Sequence, residues 1–261
     1  MQSGIIILRD IPKEEVKIDL ARFSIQGGFR GISEVPTGPH YVSVRSAGNH
    51  HGFWCYVHPG QVIVKLFDSE QNEFMEDLPE SAAHFTRLAK GGSMSHVLRP
   101  YPDQFFAPWF SLTKHLKEEN FPPKIYESDM LLSSRFDSAF KGTHGADPDN
   151  FMEEFQYAFL SWIVSADTKD KNERAFLRWR HLLLSIYNAG DRNISDYPEL
   201  FERIAECMLV QFDRLADDFF GEGSFLTEQI DYLLEDMAEC RDPEVASKSS
   251  ELRLYINMRK K

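Results

Sequence analysis

The 261-residue sequence predicts an α+β protein, with an N-terminal β-sandwich or barrel-like domain followed by an all-helical C-terminal domain. Three observations point there. Short apolar runs of period two, separated by Gly and Pro turns, fill the first hundred or so residues. Beyond residue 150 the apolar period becomes that of a helix. Hydrophobic residues make up 42% of the chain, enough for a core in each part. The expected divisions are 1–140 for the β-rich part with short helices at its end, 141–150 for a linker, 151–248 for the helical part and 249–261 for a tail.

The elements follow in order. "GIIIL" at 4–8 is a buried-strand run. "EVKIDLARFSI" alternates Val16, Ile18, Leu20 and then changes phase to Phe23 and Ile25, which predicts a turn or bulge near Ala21. Turns follow at 26–28 and 36–40, and "YVSVRS" at 41–46 is a further strand. In "NHHGFWCYVHPGQVIVKLFD", aromatic and β-branched flanks surround Pro59-Gly60, predicting a hairpin closed by a type II turn. His51 and Cys55 then share a face about 13 Å apart, too far for one zinc ion with its ~2.3 Å sulfur bond. Cys55 reads as a strand cysteine of the core rather than a nucleophile, which would need a base brought from elsewhere.

"LPESAAHFTRLAK" is a short helix with Pro79 in its first turn and Gly91-Gly92 at its end. "FFAPWFSLTKHLKEE" is a second helical piece, interrupted at Pro108. "FKGTHGADPDN" clusters Gly, Asp, Pro and Asn as a linker would. Beyond it, Asp149 or Asn150 caps a helix striped by Phe151, Phe155, Ala158, Phe159 and Trp162. After a charged loop at 166–172, three more helices carry stripes of Phe176, Trp179, Leu183 and Ile186, of Leu200, Ile204, Met208 or Cys207, Phe212 and Leu215, and of Ile230, Leu233, Leu234 and Met237. These aromatic and methionine stripes read as core. In the tail, Leu252, Leu254, Ile256 and Met258 alternate with Arg253, Tyr255, Asn257 and Arg259, which predicts a strand seeking a sheet edge, within this chain or on a partner. A helix that runs on is the alternative.

Composition narrows the functional classes. The net charge is -12, divided as -3 over residues 1–148 and -9 over 149–261. An acidic surface repels phosphate backbones, so direct nucleic-acid binding is not expected; the acidic half can steer a basic protein partner, or serve only to keep the chain in solution. Three cysteines without CxxC spacing argue against disulfides or a cysteine zinc site and for a reducing compartment. The N-terminus has no basic region before its apolar stretch, and no apolar run reaches the roughly 20 residues of a membrane span. No phosphate loop, nucleophile elbow, HExxH or EF-hand pattern occurs, and no cofactor is expected. The carboxylate pairs Glu153-Glu154, Asp217-Asp218 and Glu235-Asp236 read as solvated helix faces, and His181 as a core or surface residue.

The same residues carry a family resemblance. Ile18, Asp19, Phe29, Gly31, Ile32, Pro36, Gly38 and His40 match in order the opening of the AAR2 (Aar-two) family of splicing factors. "HGFWCYVHPGQVIVKLFD", "RPYP" with Trp109 and Leu112-Thr113, and "EEFQYAFLSWIV" resemble its later segments, with Glu153 standing where the family has glycine. The resemblance implies a non-catalytic assembly chaperone of the U-five small nuclear ribonucleoprotein, nuclear and cytoplasmic. It implies binding to the Prp-eight scaffold through that protein's RNase H-like and Jab/MPN domains, which keeps the Brr-two helicase away until maturation. It also implies a tail that completes a partner's sheet, with Leu252, Leu254, Tyr255, Ile256 and Met258 as contact residues. From the residues alone two alternatives stay open: a hydrolase using Cys55 or a carboxylate pair in an interdomain cleft, and an acidic protein-binding module unrelated to splicing.

Overall fold

The structure, a computed structural model, describes residues 3–25, 28–125, 135–164 and 169–260. The turn expected at 26–28 and the start of the charged loop at 166–172 fall largely outside them. The chain divides into two compact units, Met1–Pro123 with Ser161–Asn172, and Lys124–Leu160 with Glu173–Lys261.

Among the described residues, nine strands build the first unit: β1 (Ser3–Arg9), β2 (Glu15–Ile18), β3 (Ala21–Ser24), β4 (Gly31–Pro36), β5 (Gly38–Ser46), β6 (Asn49–Val57), β7 (Val62–Asp68), β8 (Glu73–Glu76) and β9 (Leu98–Pro100). They form a five-stranded sheet, β8-β7-β1-β4-β9, and a four-stranded sheet, β3-β2-β5-β6. Alternation along β1 explains its unbroken apolar run. Ile6 and Leu8 enter the core between the sheets with Val16, Ile18, Ile32, Val35, Val42, Val44 and Val57. Ile7 turns to the other face, onto the helix α1 (Pro79–Lys90), with Val64, Ala89, Met94 and Leu98. A strand buried on both faces has no polar side to alternate. Gly31 lies opposite Ile7, and a Cβ there would stand 2.1 Å from the Ile6 carbonyl oxygen, so only glycine lets β4 approach β1.

The phase change near Ala21 is the tight β2–β3 connection, where Asp19 adopts φ 55°. The expected hairpin around Pro59-Gly60 is corrected. The turn exists, with Gly60 at φ 66° and the Gln61 N–H donating to the His58 carbonyl at 3.1 Å. Its two strands part company, however: β6 pairs with β5, and β7 runs parallel to β1. The turn carries the chain from one sheet to the other, and the hairpin partner of β6 lies upstream, across Ala47-Gly48. Pro108 does not interrupt α2 (Phe106–Thr113) either, because it sits in the first turn, where no N–H is needed.

The helices α3 (Pro148–Val164), α4 (Lys169–Tyr187), α5 (Gly190–Asp196), α6 (Pro198–Phe212), α7 (Ile230–Ala238) and α8 (Pro243–Arg259) belong to the second unit, except for 161–164 of α3 and 169–172 of α4, which belong to the first. The predicted stripes of α6 and α7 are buried, as are Trp179, Leu183 and Ile186 of α4. The segment 141–150 is not an extended linker. Ser138–Thr143 coils as a π-helix that buries Phe140, and Asp147 accepts from the Asp149 and Asn150 N–H groups to start α3. Nor is α3 an ordinary amphipathic helix, since residues 151–161 are buried on every side.

Candidate interaction surface

The tail is a helix, and the expected strand is corrected. Asp242 caps it, its Oδ1 accepting from the Glu244 N–H at 2.9 Å, with Pro243 in the first position. Val245, Ser249, Leu252 and Ile256 then follow at spacings of four, three and four, a narrow inner stripe packed on α7 and α6. The Ser249 hydroxyl donates to the Leu234 carbonyl at 2.6 Å. At the far end Arg259 donates to Asp217 (2.8 Å), the Leu215 carbonyl (2.7 Å) and the Tyr255 hydroxyl (2.7 Å), and lies over the Phe220 ring. A two-residue step along a helix is roughly 200°, so alternating apolar residues form two opposed stripes. Four such residues fit a strand or a doubly striped helix equally well.

The five expected contact residues therefore separate. Leu252 (0% exposed) and Ile256 (2%) are buried in the core. Tyr255 is half-buried against Phe220. Leu254 (62%) and Met258 (64%) lie one turn apart on the outer face, among Ser247, Ser250, Glu251 and Asn257. They are the two large apolar side chains that this helix exposes among its described residues.

A second cluster imitates a catalytic one. His40 lies directly across the β5–β6 ladder from Cys55, and Asp19 backs it. Its geometry binds rather than reacts. His40 Nδ1 meets Asp19 Oδ2 at 2.6 Å and Nε2 meets the Pro36 carbonyl at 2.8 Å. Both neighbours are acceptors, so both ring nitrogens donate and no lone pair remains to take a proton from a thiol. Burial works to lower the His40 pKa, but the Asp19 charge and the bonds to Asp19 and Pro36 outweigh it and raise it. Asp19 also accepts from the Tyr41 N–H (2.9 Å) and the Tyr101 hydroxyl (2.9 Å). Burial, with the Asp19 charge, drives the Cys55 thiol upward, away from thiolate. The cluster ties β2, β5 and the segment after β9 together. Among the described residues no group of three or more His, Cys, Asp or Glu is placed to hold a metal ion.

The pair Glu153-Glu154 does not form a solvated face: both are buried in α3, at 4% and 2% exposure. Arg178 grips Glu154 with two bonds of 2.8 Å, and His144 Nε2 lies 2.9 Å from the same carboxylate. Gln211 accepts from the Trp179 indole N–H at 2.8 Å. The signal for this network was available in the sequence as charged residues inside a helix that is apolar all round.

Comparison with known proteins matches both parts of the chain. A sequence model described as the AAR2 N-terminal domain matches residues 2–122, and one described as the AAR2 C-terminal repeat region matches residues 96–259. A human protein named Protein AAR2 homolog is 25% identical over 127 residues, covering 45% of this chain and 33% of the human one. The chain thus aligns with about a third of that relative. No helix among the described residues is long and apolar enough to cross a membrane.

Proposed function

Because the chain belongs to the AAR2 family, we propose that it serves pre-mRNA splicing as a non-catalytic assembly factor of the U-five small nuclear ribonucleoprotein. Its partner is the Prp-eight scaffold, bound through the RNase H-like and Jab/MPN domains, and the complex holds the Brr-two helicase off until maturation. The protein works in the cytoplasm and the nucleus. One observation carries this proposal: family models for both an N-terminal and a C-terminal region fall on this chain in the family's order. The structural support is a surface suited to gripping. Leu254 and Met258 stand exposed on a helix whose inner stripe and anchored C-terminus hold it rigid, and rigid presentation lowers the entropy cost of binding.

The experiment is affinity capture from nuclear extract with the full chain, read by mass spectrometry. Prp-eight recovered without Brr-two is the expected result, and capture of neither, or of both together, overturns the proposal. Leu254→Glu with Met258→Glu should reduce Prp-eight recovery about tenfold or more, as for loss of a buried interface anchor, with an unchanged melting temperature. Full recovery by that variant removes α8 from the interface.

A further inference from the structure

In the first unit, the chain after β1, the end of β3 and the approach to β4 line an open cavity of about 520 Å³. Its apolar wall is Ile11, Ile25 and Phe29; both isoleucines are half-buried against the sandwich core and Phe29 is 4% exposed. Lys13 and Arg30 line the same cavity from exposed positions. Among the described residues neither side chain has an ion-pair or hydrogen-bond partner. The remaining charge, Asp10, has its carboxylate 3.8 Å from Arg9. Two uncommitted cations thus stand beside a hydrophobic wall in a chain of net charge -12. The volume lies within the roughly 300–1,000 Å³ of ligand sites, where apolar surface supplies affinity and a few polar groups set orientation.

We propose that this cavity binds an amphipathic anion: an apolar body resting on Ile25 and Phe29, with one carboxylate held by Lys13 and Arg30. The carboxylate comes either from a free small molecule or from an acidic side chain beside an apolar one in a peptide. The site lies within the first unit and does not depend on the splicing assignment.

The test titrates the full ¹⁵N-labelled chain with 2-naphthoate, with its uncharged analogue 2-naphthalenemethanol and with the peptide acetyl-Ala-Glu-Phe-Ala-amide. The expected result is saturable shifts of the Ile11, Ile25 and Phe29 amides with naphthoate. Binding should weaken about tenfold or more for the uncharged analogue and for the K13E/R30E variant, as for loss of a complementary charge pair. Both substituted side chains are exposed, so the variant keeps its fold, which an unchanged melting curve verifies. Peptide shifts at the same amides support the proposal with a protein-borne carboxylate, and their absence alongside naphthoate binding supports it with a free one. Naphthoate shifts located elsewhere, or equal in the wild type and the variant, overturn it.

Discussion

At the scale of single residues, buried charge decides most. His40 is held as an imidazolium between Asp19 and the Pro36 carbonyl, so its folded pKa stands above the unfolded value of about 6.5. A raised pKa stabilises the fold fully below the unfolded value and loses that contribution as pH rises through the folded one. The wild-type melting temperature should therefore fall on the alkaline side, and His40→Gln should flatten that slope; equal slopes in the two proteins would remove the assignment. Arg178 is the other such residue. Replacing it by Met takes two charge-assisted bonds from the buried Glu154 carboxylate, which should cost about 3–5 kcal/mol in a urea titration. The double variant E154L/R178M should recover part of that loss, because no charge is then stranded. A double variant no more stable than R178M would show that the pair is not coupled.

At the scale of elements, α8 is a structural helix with one outward face. Leu252→Ala should lose about 2–5 kcal/mol of stability, and Leu254→Ala about 0.5 kcal/mol or less, although the two stand two residues apart. Similar losses at both positions would contradict the two-stripe geometry. Removal of 249–261 takes Ser249, Leu252 and Ile256 out of the core. Such a truncation tests folding, not partner binding, and circular dichroism should show the second unit destabilised. The sequence misled here for a definite reason. Four apolar residues at spacing two satisfy both periods, and the features that separate them, Asp242-Pro243 as a start signal and Val245 and Ser249 extending the inner stripe, lie upstream of the alternation. Pro59-Gly60 shows a similar limit. Turn chemistry is local and was legible; which strands a turn joins depends on pairing partners more than fifty residues away, Ile5 with Val62 among them.

At the scale of the whole molecule, charge and architecture bear on partners. The helical region carries -9 of the net charge of -12. If that surface steers a basic partner, the rate of association with Prp-eight should fall steeply between roughly 0.05 and 0.5 M salt, as screening shortens the field's reach, while dissociation changes little. A salt-independent association rate, measured by surface plasmon resonance, would leave only short-range contacts to explain binding. The sequence by itself determined the class of each half, most element positions, the apolar stripes of α6 and α7, and the family, because periodicity, turn chemistry and ordered motifs are written locally. Only the tertiary structure decided the parallel β1–β7 pairing, the burial of Glu153 and Glu154, the closed His40–Asp19 geometry, and which side of α8 faces outward. Each of these depends on what a residue meets across a long stretch of chain. A charge is solvated or buried, and a leucine is core or contact, according to neighbours that local pattern does not name.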